Sequence, residues 1–527
     1  MDQDFVKRLS AAGGMDARRV HAALTLLCDG EWWTLADLVR ATAAPRRAVE
    51  GLLREVAPER SGERFRLPPG RAGEFRGPLG AGHRPFTPAD PVEHLLPAHA
   101  EVVQRLTRLI AEAPRGRHAL DHVAATPETV VRRALLLGAR FWTPGSRVLC
   151  VGDHDLTSLA VALIHPGAEV AVADVDERIL AYIDARSGEL GLNVRTRWAD
   201  LRLGLPASLR EYADLAVTDP PYTPEGVGLF VARAVEGLRD PEQGRVLLAY
   251  GASERTPMLA LKVQNSLHDL NLAYEAMYPD FNRYLGAEAI GSAADLYVLR
   301  PTSKTRPAVA ARVERFGAAI YTQGPQAVES RPGGGVDDAA LQAETAAFAP
   351  GLLVGDWPAA LLPKAPRVRL ATWLAKPYAT SPGRVAIAVP AGLEASLPRL
   401  LLAARAGHVR ALLAGQPADA ALPEPVRVVY DVTVKGNVLD AVRRPPAADD
   451  EGRVLRRLLD RAHGKIANTW RESLIEVHGE LTRNQAREAV TRAAPWAEGV
   501  TLLELPAHRL DSLRAAVGAS LRLASGR

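Results

Sequence analysis

The sequence predicts an α/β protein built around a doubly wound parallel sheet, and three observations carry that reading. Short apolar runs alternate with amphipathic helical stretches across residues 146–300. The first, second and fourth of those runs each end in aspartate, at the strand ends where open α/β sheets bind ligands. The 527 residues exceed what one core holds, at roughly 150 residues per domain, and patterns of other kinds flank the alternating region on both sides.

Residues 1–75 read as short helices followed by a small strand pair. Residues 33–39 and 46–53 show helical spacing, and 63–67 alternate like a strand. That order matches a winged helix-turn-helix, a module that binds DNA or serves in packing and dimer contacts; the packing role is favoured here. Residues 76–125 combine a linker and a helix: 70–90 are rich in Gly, Pro and Arg, and a helix is expected over 92–113. Thr126, Pro127 and Glu128 then suit the cap and first turn of a helix running through Arg132 and Leu137.

The central unit, residues 126–303, is expected to have strands at 147–151, 169–174, 194–198, 213–218 and 245–250, with helices at 156–164 and 177–188. Two more strands, near 272–278 and 296–299, flank a polar loop. Such an edge hairpin is typical of the Rossmann-like, methyltransferase-type fold. Residues 304–527 read as a further α/β region of unknown role. It has strand candidates at 384–389 and 426–430 and helices at 452–463 and 482–494.

Composition excludes several classes. No stretch approaches the roughly 20 apolar residues that span a bilayer, and the acidic start at Met1–Asp4 has no signal-peptide character. A cytoplasmic protein is therefore expected. Cys28 and Cys150 lie in apolar runs and read as buried thiols. The net charge is +4, but the cations are spread evenly with no dense Lys/Arg block, which argues against a nucleic-acid partner. No metal-ligand spacing is visible.

The chemistry concentrates at the strand ends. The first strand runs into Gly152-Asp153-His154-Asp155, the second ends at Asp174, and the fourth is followed by Asp219-Pro220-Pro221-Tyr222. Asp174 follows Gly152 at the spacing where a carboxylate grips ribose hydroxyls, with a helix cap as the alternative. Asp200, after the third strand, sits where an adenine amino group is held. An anionic cofactor tail wants glycines and bare amides at the first loop. Asp153 and Asp155 instead repel an anion and attract an ammonium, with plain helix capping as the alternative. That favours decarboxylated S-adenosylmethionine over the intact molecule. In the fourth-strand motif the prolines pre-shape the loop, Asp219 can accept from an amine, and Tyr222 offers a ring face to a cation. Asp280, Asn282 and Glu288, in the hairpin loop, could hold the distal ammoniums of a polyamine.

The chain resembles the branched-chain polyamine synthases, the N4-bis(aminopropyl)spermidine synthases. The resemblance rests on Thr126-Pro127-Glu128-Thr129 with Arg132-Arg133, on the loop 152–158, on Asp174-Val175-Asp176-Glu177-Arg178, on Asp219-Pro220-Pro221-Tyr222-Thr223, and on Phe281-Asn282 through 286–291. These motifs stand in the family's order over residues 120–305. The resemblance implies transfer of aminopropyl groups from decarboxylated S-adenosylmethionine to the internal amine of spermidine, releasing methylthioadenosine without a metal. It assigns the catalytic role to Asp155 first and Asp153 second, with Asp155 or Asp219 as the base. His154 departs from the family's run of acids, and residues 304–527 have no counterpart in it. A homodimer is left open. Two rival readings are an amino-methyltransferase acting on nucleic-acid bases, whose Tyr222 would stack on a flipped base, and a DNA-binding regulator that senses a metabolite.

Overall fold

The computed structural model describes residues 17–79, 90–252, 256–313, 319–324, 327–328, 335–415 and 422–525. The acidic start and residues 80–89 of the expected linker lie outside the described residues.

In the N-terminal unit, helices Ala17–Leu27, Leu35–Thr42 and Arg46–Val56 pack around Leu24, Leu38, Val49 and Leu52. The Thr34 side chain accepts from the Asp37 N–H and so starts the second helix. Strands β1 (Trp33–Thr34), β2 (Glu59–Ser61) and β3 (Arg64–Arg66) form an antiparallel sheet in the order β1-β3-β2. The expected linker instead opens with a helix, Pro69–Leu79. Pro69 suits a first helical turn, and Ala72 and Phe75, three residues apart, share one face and enter the core. The expected helix over 92–113 divides into a 3₁₀ turn, Glu93–His99, and an α-helix, Ala100–Glu112; Pro97 inside the turn has no N–H to give an α-helical ladder.

The central sheet has seven strands: β4 (Arg147–Val151), β5 (Glu169–Asp174), β6 (Val194–Trp198), β7 (Leu215–Thr218), β8 (Arg245–Tyr250), β9 (Leu272–Arg283) and β10 (Ala293–Pro301). Their order is β6-β5-β4-β7-β8-β10-β9, with β10 antiparallel to both neighbours and the remaining pairs parallel. The order reverses beside β4, which places a crevice at the carboxyl ends of β4 and β7. The strands read as continuous apolar runs because helices cover both faces. Val148, Cys150, Val170 and Val172 face helices Pro127–Arg140, Thr157–Ile164 and Glu177–Leu190, while Leu149, Val151 and Ala171 face helix Pro224–Gly237.

The N-terminal unit is fastened to the β9–β10 hairpin. Arg19 donates to the Ala43 carbonyl at 3.0 Å and to Asp280 Oδ1 at 3.1 Å. Gly291 has φ +81°, and a Cβ there would lie 2.3 Å from the Ala43 carbonyl oxygen. Glycine is required at this contact on both counts.

The C-terminal region forms a six-stranded sheet from β11 (Leu352–Val354), β12 (Arg367–Val368), β13 (Arg384–Val389), β14 (His408–Leu413), β15 (Tyr430–Lys435) and β16 (Val438–Arg443), in the order β12-β11-β13-β14-β16-β15. Residues 426–429, expected as strand, are in helix Glu424–Val429. Pro425 at the helix start favours the turn, and Val426 and Val429, three apart, reach the core together; packing overrides the β-branched preference. Helices Asp450–Asp460 and Arg483–Ala493 follow, the second opened by a capping box between Thr482 and Gln485.

This region packs along the β6 side of the central sheet. Arg399, 2% exposed, donates to Glu177 Oε1 at 2.6 Å and to the Leu505 carbonyl at 2.7 Å, and lies 3.8 Å from the centre of the Trp198 ring. Glu177 Oε2 accepts from the Ala507 N–H at 2.7 Å, Asp184 pairs with Arg509, and Ser208 bonds Glu504. Both cysteines are buried. Among the described residues no helix is long and apolar enough to cross a membrane.

Candidate active site

At the end of β4 the backbone turns through Gly152, φ +73°, whose N–H bonds the Ala173 carbonyl at 2.8 Å. The Asp153 carboxyl accepts from the Ser158 N–H at 3.2 Å and so caps helix Thr157–Ile164. Burial pushes this carboxyl up to about 8. The Asp153 N–H donates to Asp174 Oδ2 at 2.9 Å, and the Asp176 N–H to Asp174 Oδ1 at 2.8 Å. Asp174 therefore ties the ends of β4 and β5 together. The cap of the next helix is Asp176, which corrects the alternative reading of Asp174 as that cap. Burial raises the Asp174 carboxyl above its ordinary range.

Arg133 sits at the centre of the site, 2% exposed. Its Nη1 donates to Asp155 Oδ2 at 2.9 Å, its Nη2 to Asp219 Oδ2 at 2.6 Å, and its Nε to Asn282 Oδ1 at 2.8 Å. One guanidinium fork thus holds two carboxylates from different strand ends. Asp155 Oδ1 also accepts from the Ala125 N–H at 2.8 Å. Asp219 accepts from Tyr284 at 2.8 Å and from Tyr222 at 3.0 Å, and the two phenol oxygens lie 2.8 Å apart. Burial pushes Asp219 up to about 6, with Arg133 opposing the shift. Both phenols are raised above their ordinary value by burial and by the Asp219 charge.

The His154 ring stacks on His122, with centroids 4.4 Å apart and planes 12° from parallel. Burial lowers both, His122 to about 3, so at neutral pH the pair is uncharged.

These residues line a cavity of about 380 Å³, within the range of small-ligand sites. Gly152, Asp153, Asp155, Asp174, Asp200, Asp219, Pro220 and Tyr222 all border it. Its ionisable wall comprises six aspartates and two arginines, besides histidines and tyrosines. Asp200 does not present a free carboxylate: Arg202 Nε donates to its Oδ1 at 2.8 Å and Nη2 to its Oδ2 at 2.6 Å. Asp200 thus borders the cavity as a carboxylate already paired with the neighbouring arginine.

The hairpin-loop residues stand elsewhere. Asp280, Asn282 and Glu288 are not among the cavity-lining residues. Asp280, with φ +53°, pairs with Arg19 of the N-terminal unit. Asn282 is buried, accepts from Arg133, and donates to the carbonyls of Ala294 and Asp295 at 3.2 and 3.1 Å. These bonds hold its side chain on Arg133 and on β10, away from the cavity lining. Glu288 is half-buried in the turn Glu288–Ile290, whose Ala289 and Ile290 do border the cavity.

Sequence reasoning assigned no role to Arg133, Tyr284, Arg202 or Tyr321. Arg133 had a signal: it shares the buried stripe of Val130, Ala134 and Leu137 at helical spacing, where an unpaired charge would be prohibitive. The partners of the other three come from distant parts of the chain, and no local pattern marks them.

The family model described as the branched-chain polyamine synthase A C-terminal domain matches residues 101–310. An uncharacterized protein of Methanocaldococcus jannaschii, MJ0675, is 40% identical over 174 residues, 33% of this chain and 43% of that protein. The N(4)-bis(aminopropyl)spermidine synthase of Thermococcus kodakarensis is 34% identical over 27% of this chain and 41% of its own length. The chain thus spans about half or less of these two curated relatives. The branched-chain polyamine synthase of Thermus thermophilus, solved with N4-aminopropylspermidine and 5'-methylthioadenosine, is 21% identical, with a TM-score of 0.41 over 57% of this chain and 93% of that one. The matched residues end before residues 320–323, which nevertheless border the cavity.

Proposed function

We propose that this protein transfers aminopropyl groups from decarboxylated S-adenosylmethionine to a polyamine amine, with the internal secondary amine of spermidine as acceptor, and releases methylthioadenosine. One observation carries the reading: a cavity walled by two arginines and six aspartates, of which Asp153, pushed up to about 8, is protonated near neutral pH while the other five still outnumber the arginines. A sulfonium with an ammonium tail and a polyamine both bring positive charge, and desolvated charge must be balanced. The carboxylate of intact S-adenosylmethionine would add to the excess negative charge instead. The matched synthase relatives support the same reading.

The step is an in-line displacement. The amine lone pair forms a bond to the propyl carbon, the carbon–sulfur bond breaks, and its electrons leave with neutral methylthioadenosine. The amine must first lose its proton. Asp155 and Asp219 are fixed on Arg133 and border the cavity, which supports a role for them in holding the amine. Asp219, pushed up to about 6, is suited to receive that proton near neutral pH. The remaining contribution is alignment of nitrogen and carbon by a rigid, buried frame.

The test is mass spectrometry of products from the full chain, the decarboxylated donor and a panel of polyamines. Aminopropylated spermidine is expected. A methylated product formed from intact S-adenosylmethionine would establish the amino-methyltransferase reading instead. Asp155→Asn should lower turnover at least about a hundredfold while methylthioadenosine still binds. Undiminished turnover in that variant removes Asp155 from the step.

A further inference from the structure

We infer that Tyr321, on a segment beyond the family-matched residues, contacts the nucleobase of the donor, and that the C-terminal region fixes this base end of the cavity through Arg202. The inference rests on the nucleoside donor proposed above and assigns its base a binding residue.

Residues 320–323 border the cavity although they follow the matched domain. They are held from two sides. Thr223, next to the Asp219-Pro220-Pro221-Tyr222 loop, donates from Oγ1 to the Ile320 carbonyl at 2.7 Å. Asp121 receives the Thr322 N–H on Oδ2 and the Thr322 hydroxyl on Oδ1, both at 2.6 Å. Asp121 lies in the left-handed region, φ +54°, in the loop before helix Pro127–Arg140. The Tyr321 carbonyl also accepts from the Val328 N–H at 2.9 Å.

This anchoring presses the Tyr321 ring into the cavity wall, 5% exposed. Asp174 and Asp200 border the same cavity. The Arg202 guanidinium sits 5.6 Å from the ring centre while paired with Asp200. Its Nη2 also donates to the Gly392 carbonyl, 2.9 Å away, in the C-terminal region. Asp200 at this end is already engaged by arginine on both oxygens. Beside it stands the Tyr321 ring, a flat aromatic face against which a purine is held by stacking. Tyr321 has no described hydrogen bond to Arg133, Asp155 or Asp219, so base contact and amine chemistry are separable.

Calorimetric binding of 5'-methylthioadenosine to the full chain tests this. Tyr321→Ala should raise its Kd at least tenfold, Tyr321→Phe should leave it within about twofold, and neither should change the KM for spermidine. If Tyr321→Ala loses the cooperative melt of the wild type, Asp121→Gly decides. Glycine tolerates the left-handed backbone and removes both acceptors of Thr322, so the segment is loosened and the Kd should rise at least fivefold. A wild-type Kd in the folded variant overturns the inference while the donor reading stands. A full chain that binds no methylthioadenosine overturns both.

Discussion

Arg133 is buried at the meeting point of two carboxylates, an amide and two phenols. Removing one partner of a buried ion pair leaves an uncompensated charge and costs about 3–5 kcal/mol. Arg133→Met should therefore lower unfolding free energy by about that amount in denaturant titrations and abolish transfer. Asp153 makes a prediction of the opposite sign. Its carboxyl stands at about 8 in the fold against 3.8 when unperturbed. Folding therefore favours the protonated form, so its contribution is fully present below about pH 3.8 and is lost as pH rises toward 8. Asp153→Asn keeps an acceptor for the Ser158 N–H and has no charge to bury. It should melt like the wild type near pH 4 and progressively above it toward pH 8, by at most about 1.4 kcal/mol per pH unit. A melting difference that shrinks toward pH 8 would contradict this assignment. Asp153, Asp155, Asp174, Asp219 and Tyr222 were legible from the sequence because strand ends of a doubly wound sheet converge on one crevice. Asp280 and Asn282 were not, because which way a hairpin residue faces depends on bulges and on what packs outside it. β9 and β10 shift register between Ala294 and Leu296, beside Asn282.

At the scale of elements, the β9–β10 turn is shaped by its contact with the N-terminal unit. Gly291→Ala would place a methyl 2.3 Å from the Ala43 carbonyl and strain a left-handed residue. A destabilisation of about 1–3 kcal/mol is expected, read as a lower melting temperature. Spermidine KM should rise as well, because Ala289 and Ile290 of the same turn border the cavity. Strands β4, β5, β6 and β8 were found at their observed bounds because burial on both faces makes their apolar runs unambiguous. Residues 426–429 deceived the same criterion. A short run of valines is compatible with either a buried strand or a helix turn, and only the packing partners decide.

Across the whole molecule, the C-terminal region holds the central domain at helix Glu177–Leu190 and at the Asp200 end of the cavity. Arg399→Ala removes a buried donor from Glu177 and the Leu505 carbonyl and uncovers Trp198. It should cost about 3–5 kcal/mol and split one calorimetric transition into two as the regions uncouple. A single transition shifted as a whole would show that other contacts suffice. None of this was legible in the sequence, since such contacts join positions 190 or more residues apart. The bond from Arg202 to residue 392 has a particular consequence. Its acceptor is a main-chain oxygen, a group every amino acid supplies. Position 392 is itself glycine at φ +81°, so a side chain introduced there strains the loop, and the link is broken by changing the arginine or the path of the loop. The outer region can therefore drift widely in composition and keep its hold on the nucleoside end, provided its backbone trace is preserved.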